Sequence, residues 1–209
     1  MPLVFQQNIN ASSKLALWKI EEPISFFETS GFSTPNINHS QRKLAHAAGR
    51  FLLSQTFSQI SPETVKILPN GKPTLVDTNF HFSISHASNA VAVIGSQVPV
   101  GIDLEFDGAK AHRLSARFCH HEESRIGQMH FPESLEEFHL LLWTLKEAAY
   151  KCFGQAGIRF REQIRLTTLH KTENGFSTTL LIFQEHQDPI ELHGFSQPVE
   201  DGWLSWVIA

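Results

Sequence analysis

Val98-Pro99-Val100-Gly101-Ile102-Asp103-Leu104-Glu105-Phe106 lies at the middle of a 209-residue chain. The segment is extended and mostly apolar, yet it carries two carboxylates. Residues two apart in a strand point to the same face, so Asp103 and Glu105 project together while Ile102 and Leu104 face the other way. Adjacent carboxylates repel unless a cation lies between them. Their hard oxygens suit Mg²⁺, which keeps several waters and binds substrate phosphates. An ordinary amphipathic edge strand with a solvated acidic face fits the same residues. With Pro99 near the midpoint, two halves, 1–98 and 99–209, each match the size of a small domain.

Strand and helix patterns alternate on both sides of this segment. Upstream, Leu15 to Ile20 reads as a strand. Ser40 to Thr56 reads as a helix in which Leu44, Ala47, Ala48, Phe51 and Leu52 recur at helical spacing and Ser40 supplies a cap. Val65 to Leu68, Phe80 to Ser85 and Ala90 to Gly95 read as strands, and Pro69 to Pro73 has turn composition. Downstream, helical periodicity covers His112 to Phe118 and Leu135 to Phe153. Ile164 to Leu169, Phe176 to Phe183 and Trp203 to Ile208 are strand-like. The expected class is therefore α+β, with small sheets packed against helices.

Apolar residues make up 41% of the chain, enough for packed cores, and the formal net charge is −4. That charge argues against a protein that coats nucleic acid, so any site for a polyanion must be a local patch. Two cysteines, Cys119 and Cys152, can build neither a disulfide framework nor a four-cysteine zinc site. Met1 to Lys14 has no signal-peptide pattern, and no apolar run approaches membrane-spanning length. A soluble, cytoplasmic protein without membrane or nucleic-acid partners is the expectation.

Leu140-Leu141-Leu142-Trp143-Thr144-Leu145-Lys146-Glu147-Ala148-Ala149-Tyr150-Lys151 is a strong helix by propensity. Glu147 and Lys151 stand one turn apart on one face, with Trp143 a turn earlier. They fit a surface ion pair, and equally a third metal-binding carboxylate with a lysine for phosphate charge. Arg42, His46 and Arg50 also share one helix face, beside Lys43. Lys72 follows Gly71 in the turn, and Ser85-His86 ends a strand. His120-His121-Glu122-Glu123 resembles a metal cluster by composition alone, because neighbouring side chains diverge and H-E-x-x-H spacing is absent. The G-x-S-x-G elbow and the Walker A pattern are missing too, which disfavours serine hydrolases and P-loop enzymes.

Taken jointly and in order, Gly71-Lys72-Pro73, Phe82-Ser83-Ile84-Ser85-His86, Val100 to Glu105 and Trp143 to Lys151 resemble the 4′-phosphopantetheinyl transferase superfamily. The resemblance is to its monomeric surfactin-synthetase-activating type. The Arg42-Lys43…His46-Ala47-Ala48-Gly49-Arg50 helix further resembles the branch serving siderophore synthetases. The resemblance implies two pseudo-twofold-related halves, each a small mainly antiparallel sheet with helices, and coenzyme A bound in the cleft between them. It implies Mg²⁺-dependent transfer of 4′-phosphopantetheine from coenzyme A to a serine of an apo acyl or peptidyl carrier protein, leaving 3′,5′-ADP. Asp103, Glu105 and Glu147 would hold the metal, and Lys151 would neutralise phosphate charge. Arg50, Lys72, Ser85 and His86 would bind the nucleotide end, and Lys146 would support the metal and coenzyme site. Glu147, or a water beside it, would take the serine proton.

Glu123 stands where the family commonly has an acidic residue, as metal support or as a helix start. Lys110, Arg113 and Arg117 at i, i+3 and i+7 would form one cationic face, suited to an acidic carrier, if their segment is a helix. Two other activities fit parts of the pattern: a Mg²⁺-dependent nuclease, and an inactive coenzyme A or carrier-binding module. Phe106-Asp107-Gly108 after Glu105 lacks the lysine that a nuclease strand would carry. A pure binder has no need for three converging carboxylates.

Overall fold

The computed structural model describes residues 3–32, 37–61, 64–68, 73–75 and 79–209. The chain divides into two compact units, 1–99 and 100–209.

The first unit is built on an antiparallel sheet of order β1-β2-β6-β5. Its strands are β1 (Leu3–Asn8), β2 (Lys14–Lys19), β5 (His81–Ala87) and β6 (Ala90–Ser96). A separate antiparallel pair joins β3 (Val65–Ile67) to β4 (Pro73–Leu75). Helix α2 (Ser40–Thr56) buries Ala45, Ala48, Leu52, Leu53 and Thr56, the one-face spacing of an amphipathic helix. Its cap is His39 rather than Ser40: the imidazole accepts from the Arg42 amide at 3.5 Å. Gly49 lets α2 lie close on β5, since a Cβ there would come within 2.8 Å of the Ile84 side chain. The short helix α1 (Ile24–Thr29) docks through aromatic edges, with Phe26, Phe27, Phe32 and Trp18 all standing 5.4–5.7 Å from the Phe51 ring.

The second unit holds an antiparallel sheet of order β7-β11-β10-β9-β8. Its strands are β7 (Val100–Glu105), β8 (Ile164–Thr172), β9 (Gly175–Ile182), β10 (Ile190–Val199) and β11 (Gly202–Ile208). The long helix α5 (Leu135–Phe153) lies against them. Ser134 caps α5 by accepting from the Glu137 amide at 3.2 Å, and the helix closes at Gly154 with φ 75°. Glu136 and Glu137 in the first turn and Lys151 in the last complement the helix dipole. Around it stand α3 (Gly108–Leu114), a 3₁₀ turn (Ser115–Arg117), α4 (His121–His130) and the single turn α6 (Phe160–Gln163). The core joins Phe138, Leu141, Leu142, Leu145, Ala148 and Ala149 of α5 to Ile164, Leu180, Ile182, Leu192 and Val207 of the sheet.

Antiparallel sheets with packed helices match the expected α+β class. The segment expected as one helix over His112 to Phe118 is instead the end of α3 followed by the 3₁₀ turn, so Arg117 sits off the helix that carries Lys110 and Arg113. Most of the turn expected at Pro69 to Pro73 lies outside the described residues. No described helix is long and apolar enough to cross a membrane.

Gly101 sets the distance between β7 and α5. A Cβ there would fall 1.9 Å from the Ala148 carbonyl oxygen and 2.6 Å from the Cys152 amide nitrogen, both backbone atoms that cannot swing aside. Gly101→Ala is expected to destabilise by about 3 kcal/mol, the upper part of the range for overpacking. A denaturation midpoint equal to wild type would show that the strand and helix are not in such close contact.

Candidate active site

Gly101, Asp103 and Glu105 share the face of β7 that meets α5, as the two-residue period requires. Asp103 is buried, 7% exposed, and its Oδ1 accepts from Lys151 Nζ at 2.6 Å. The same ammonium also donates to the Ile102 carbonyl at 3.1 Å. Glu105 turns back along its own chain, its Oε1 accepting from the Phe106 amide at 3.0 Å and the Asp107 amide at 3.4 Å. Glu147, half-buried one turn before Lys151, faces the same group. Burial first, then the Asp103 charge, push its carboxyl up to about 7, with Glu105 adding a little and Lys151 opposing. Asp103 from β7 and Glu147 from α5 therefore meet at one lysine, and Glu105 acts on Glu147.

Beside Glu147 opens a cavity of about 430 Å³ walled by Leu114, Phe118, Trp143, Tyr150, Ile158 and Phe160, with Arg117 also on its lining. Trp143, Glu147 and Tyr150 fall at i, i+4 and i+7, so one face of α5 supplies both the acid and the apolar wall. That spacing was the sequence signal for the wall, and it passes for core packing until the cavity is seen. Helix α3 is held to α5 by His112 and His139, whose Nδ1 atoms are 3.0 Å apart. Burial and the His112 neighbour keep His139 down at about 4, so His139 is uncharged at neutral pH.

Lys146 does not belong to the coenzyme or metal site expected for it. Its side chain is completely buried, and its ammonium donates to the Phe118 carbonyl (2.6 Å), Glu123 Oε2 (2.8 Å) and the Phe160 carbonyl (3.1 Å). All three protons are spent, so none is left for a ligand. Glu123, 1% exposed, also accepts from the His120 amide at 2.7 Å and the Leu166 amide at 2.8 Å. Glu123 thus starts α4 and ties it to β8, while Lys146 fixes the backbone of two residues whose rings wall the cavity.

In the first unit, Arg50 and His46 on α2 and His86 on β5 come together. The His46 and His86 rings are 5.6 Å apart, and Arg50 and Arg42 act on His46 as like charges. Ser85 is buried on β5 next to His86. Lys72, the remaining expected nucleotide contact, lies outside the described residues.

A divalent cation fits the donor chemistry of the second unit. Asp103, Glu105 and Glu147 offer hard carboxylate oxygens, and the Asp103 charge that adds to burial in lifting Glu147 is a repulsion a cation relieves. Among the described residues, no three His, Cys, Asp or Glu groups are drawn together as a ready-made cage. Glu105 is turned toward backbone amides, and Lys151 stands against Asp103.

Comparison with known proteins gives three matches. The family model of the 4′-phosphopantetheinyl transferase superfamily matches residues 99–206. The 4′-phosphopantetheinyl transferase gsp of Aneurinibacillus migulanus is 35% identical over 85 residues, which cover 41% of this chain and 35% of that protein. The 4′-phosphopantetheinyl transferase psf-1 of Bacillus pumilus is 30% identical over 128 residues, covering 61% of this chain and 53% of the relative. The chain thus spans about a third and about half the length of these two relatives.

Proposed function

The chain belongs to the 4′-phosphopantetheinyl transferase superfamily, and on that premise we propose that it moves 4′-phosphopantetheine from coenzyme A to a serine hydroxyl of an apo carrier protein. The observation that carries this reading is the meeting of Asp103, Glu105, Glu147 and Lys151 beside an apolar-walled cavity. Attack on the β-phosphorus forms the serine–phosphorus bond and breaks the bond to the nucleotide phosphate, so charge builds on nonbridging and leaving oxygens. Asp103, Glu105 and Glu147 would hold Mg²⁺, which when bound supplies positive charge to the pyrophosphate oxygens.

Each protein group has a task in this scheme. Lys151 carries a cation on the last turn of α5, where it meets phosphate charge and can protonate the leaving oxygen. Glu147, or a water beside it, accepts the serine proton. The apolar-walled cavity suits the gem-dimethyl and methylene groups of the pantetheine arm. Arg50, Ser85 and His86, together with Lys72, serve the nucleotide end, so the first unit recognises coenzyme A and the second carries the chemistry. Chromatographic detection of adenosine 3′,5′-bisphosphate, released only when an apo carrier is present, tests this division of labour. Asp103→Asn should lower that release by about 10²-fold or more. Release at wild-type rate would remove the β7 carboxylates from the reaction.

Carrier proteins of this kind are acidic around the modified serine, and this chain is itself negative at −4. Lys110 and Arg113 on α3 and Arg117 beyond it are all exposed and form a local cationic surface. Arg117 also lines the cavity, and Lys110 borders a narrow crevice with Glu105, so Arg113 is the cleanest probe of docking. Arg113→Glu is expected to raise the carrier KM about three- to tenfold and to leave coenzyme A binding unchanged. An unaltered carrier KM would place docking elsewhere.

A further inference from the structure

The seam where α3 meets α5 brings together two imidazoles that the transfer reaction does not use. Nδ1 of His112 and Nδ1 of His139 are 3.0 Å apart, with the ring planes tilted by 50°. Two ring nitrogens at that distance share one proton, one donating it and the other offering its lone pair. His139 is 8% exposed, whereas His112 is exposed, so the pair lies at the surface. Burial keeps His139 neutral, the form in which an imidazole ligates. A carboxylate stands one turn along the same seam. Glu136 and His139 fall at i and i+3 on α5, the Glu-x-x-His spacing that projects a metal-binding pair from one helix face. Glu136 also lies against α3, because a Cβ at Gly108 would come within 3.0 Å of its Oε1, and Gly108 is one turn before His112. Its carboxyl enters no hydrogen bond or ion pair among the described residues.

We propose that His112, His139 and Glu136 form a metal site of their own, in which a divalent late first-row ion replaces the shared proton and clips α3 to α5. With metal–nitrogen bonds of about 2.05 Å, nitrogens 3.0 Å apart subtend about 94° at the ion. That is the cis angle of an octahedral or tetragonal sphere, whereas a tetrahedron would part the nitrogens to about 3.3–3.4 Å. Two imidazoles and one carboxylate suit Ni²⁺ or Fe²⁺ rather than Mg²⁺, and water fills the remaining positions. Among the described residues no three such groups are already gathered, so Glu136 must turn from Gly108 toward the rings. Asp107 and Glu137, at the same ends of the two helices, favour a cation there, and Lys110 and Arg113 oppose it. His139 precedes Glu147 by two turns, about 12 Å along the helix axis, so the site stands whether or not the transferase reading holds. Since Lys110 and Arg113 ride on α3, the clip fixes their cationic surface against the helix that carries Glu147 and Lys151.

Calorimetric titration of the whole, tag-free protein with Ni²⁺ at pH 7.5 measures the site, with Mg²⁺ in excess to occupy the carboxylates near Lys151. One Ni²⁺ per chain should bind more tightly than any further ion. His112→Ala and Glu136→Ala, both at exposed positions, should each weaken that binding about tenfold or more. In the wild type, Ni²⁺ should slow amide hydrogen exchange across α3 while leaving β10 unchanged. Unaltered affinity in either variant, or binding that leaves exchange in α3 as it was, would place the ion elsewhere among the chain's twelve histidines and overturn the site. Absence of Ni²⁺ binding would overturn it as well.

Discussion

Glu147→Gln is expected to lower kcat by about 10²–10⁴-fold while making the metal-free protein more stable. The loss follows from removing both a proton acceptor and a carboxylate from the phosphate site. The gain follows from linkage. Glu147 is held at about 7 in the folded state against about 4.5 ordinarily, so between those values the folded chain keeps a proton that the unfolded chain releases. The Glu147 contribution to folding stability is therefore fully present below pH 4.5 and is lost as pH rises through 7, by at most about 3 kcal/mol. Glutamine cannot ionise, so the variant should surpass wild type by up to that amount at pH 8 and match it near pH 4. Added Mg²⁺ should narrow the gap at pH 8. Denaturant titrations at the two pH values check the pattern, and an equal offset at both would mean that the carboxylate is not the source. Opposed effects on rate and stability are the mark of a group retained for chemistry.

The second large effect concerns Lys146. Lys146→Ala deprives Glu123 of its cation and leaves the carbonyls of Phe118 and Phe160 without their donor. Breaking a buried pair from one side costs about 3–5 kcal/mol. Burial already pushes the Glu123 carboxyl up, against the opposing pull of Lys146, and without that pull it rises further. The deficit should therefore be largest above neutral pH and shrink as pH falls and protonation of the carboxyl becomes favourable. Lys146→Arg should not rescue it, since a planar guanidinium cannot reproduce three acceptors arranged around one ammonium. Thermal melts at pH 5.5 and 8 distinguish this from simple loss of volume, which would be independent of pH. Since Phe118 and Phe160 wall the cavity, the folded variant should also show a raised KM for coenzyme A.

Some of this architecture is written in local sequence, and some depends on contacts that no local pattern reveals. The boundaries of α5 were legible because an apolar stripe ends at Gly154, and those of α2 because its small and apolar residues keep a helical period. Strand β10 was missed because Gly194 and Pro198 interrupt its alternation. Gly194 is needed where a Cβ would strike Thr178, and Pro198 lies past the end of the pairing with β9. Helix α4 showed only at its start, where Glu123 was legible as a helix start or as metal support, and Glu123 in fact closes a capping box with His120. Strand β1 was missed because its apolar run, Leu3-Val4-Phe5, is short and gives way to Gln6-Gln7-Asn8, and the strand buries almost nothing.

The site divides in the same way. The two-residue period placed Asp103 and Glu105 on one face, and the four-residue period placed Glu147 with Lys151. Neither period told that Glu105 folds back onto the Phe106 and Asp107 amides. Lys146 misled because adjacency in sequence to Glu147 suggests a shared site, whereas one helical step turns its side chain into the interior. Its partner Glu123 is 23 residues away in sequence, beyond the reach of any local spacing rule.

The central claim is group transfer, and intact-mass spectrometry of an apo carrier protein tests it most directly. After incubation with this protein, coenzyme A and Mg²⁺, the carrier should gain the mass of one phosphopantetheine on its serine, and EDTA should abolish the gain. Carriers from several biosynthetic systems that all remain unmodified, with coenzyme A intact, would contradict the account.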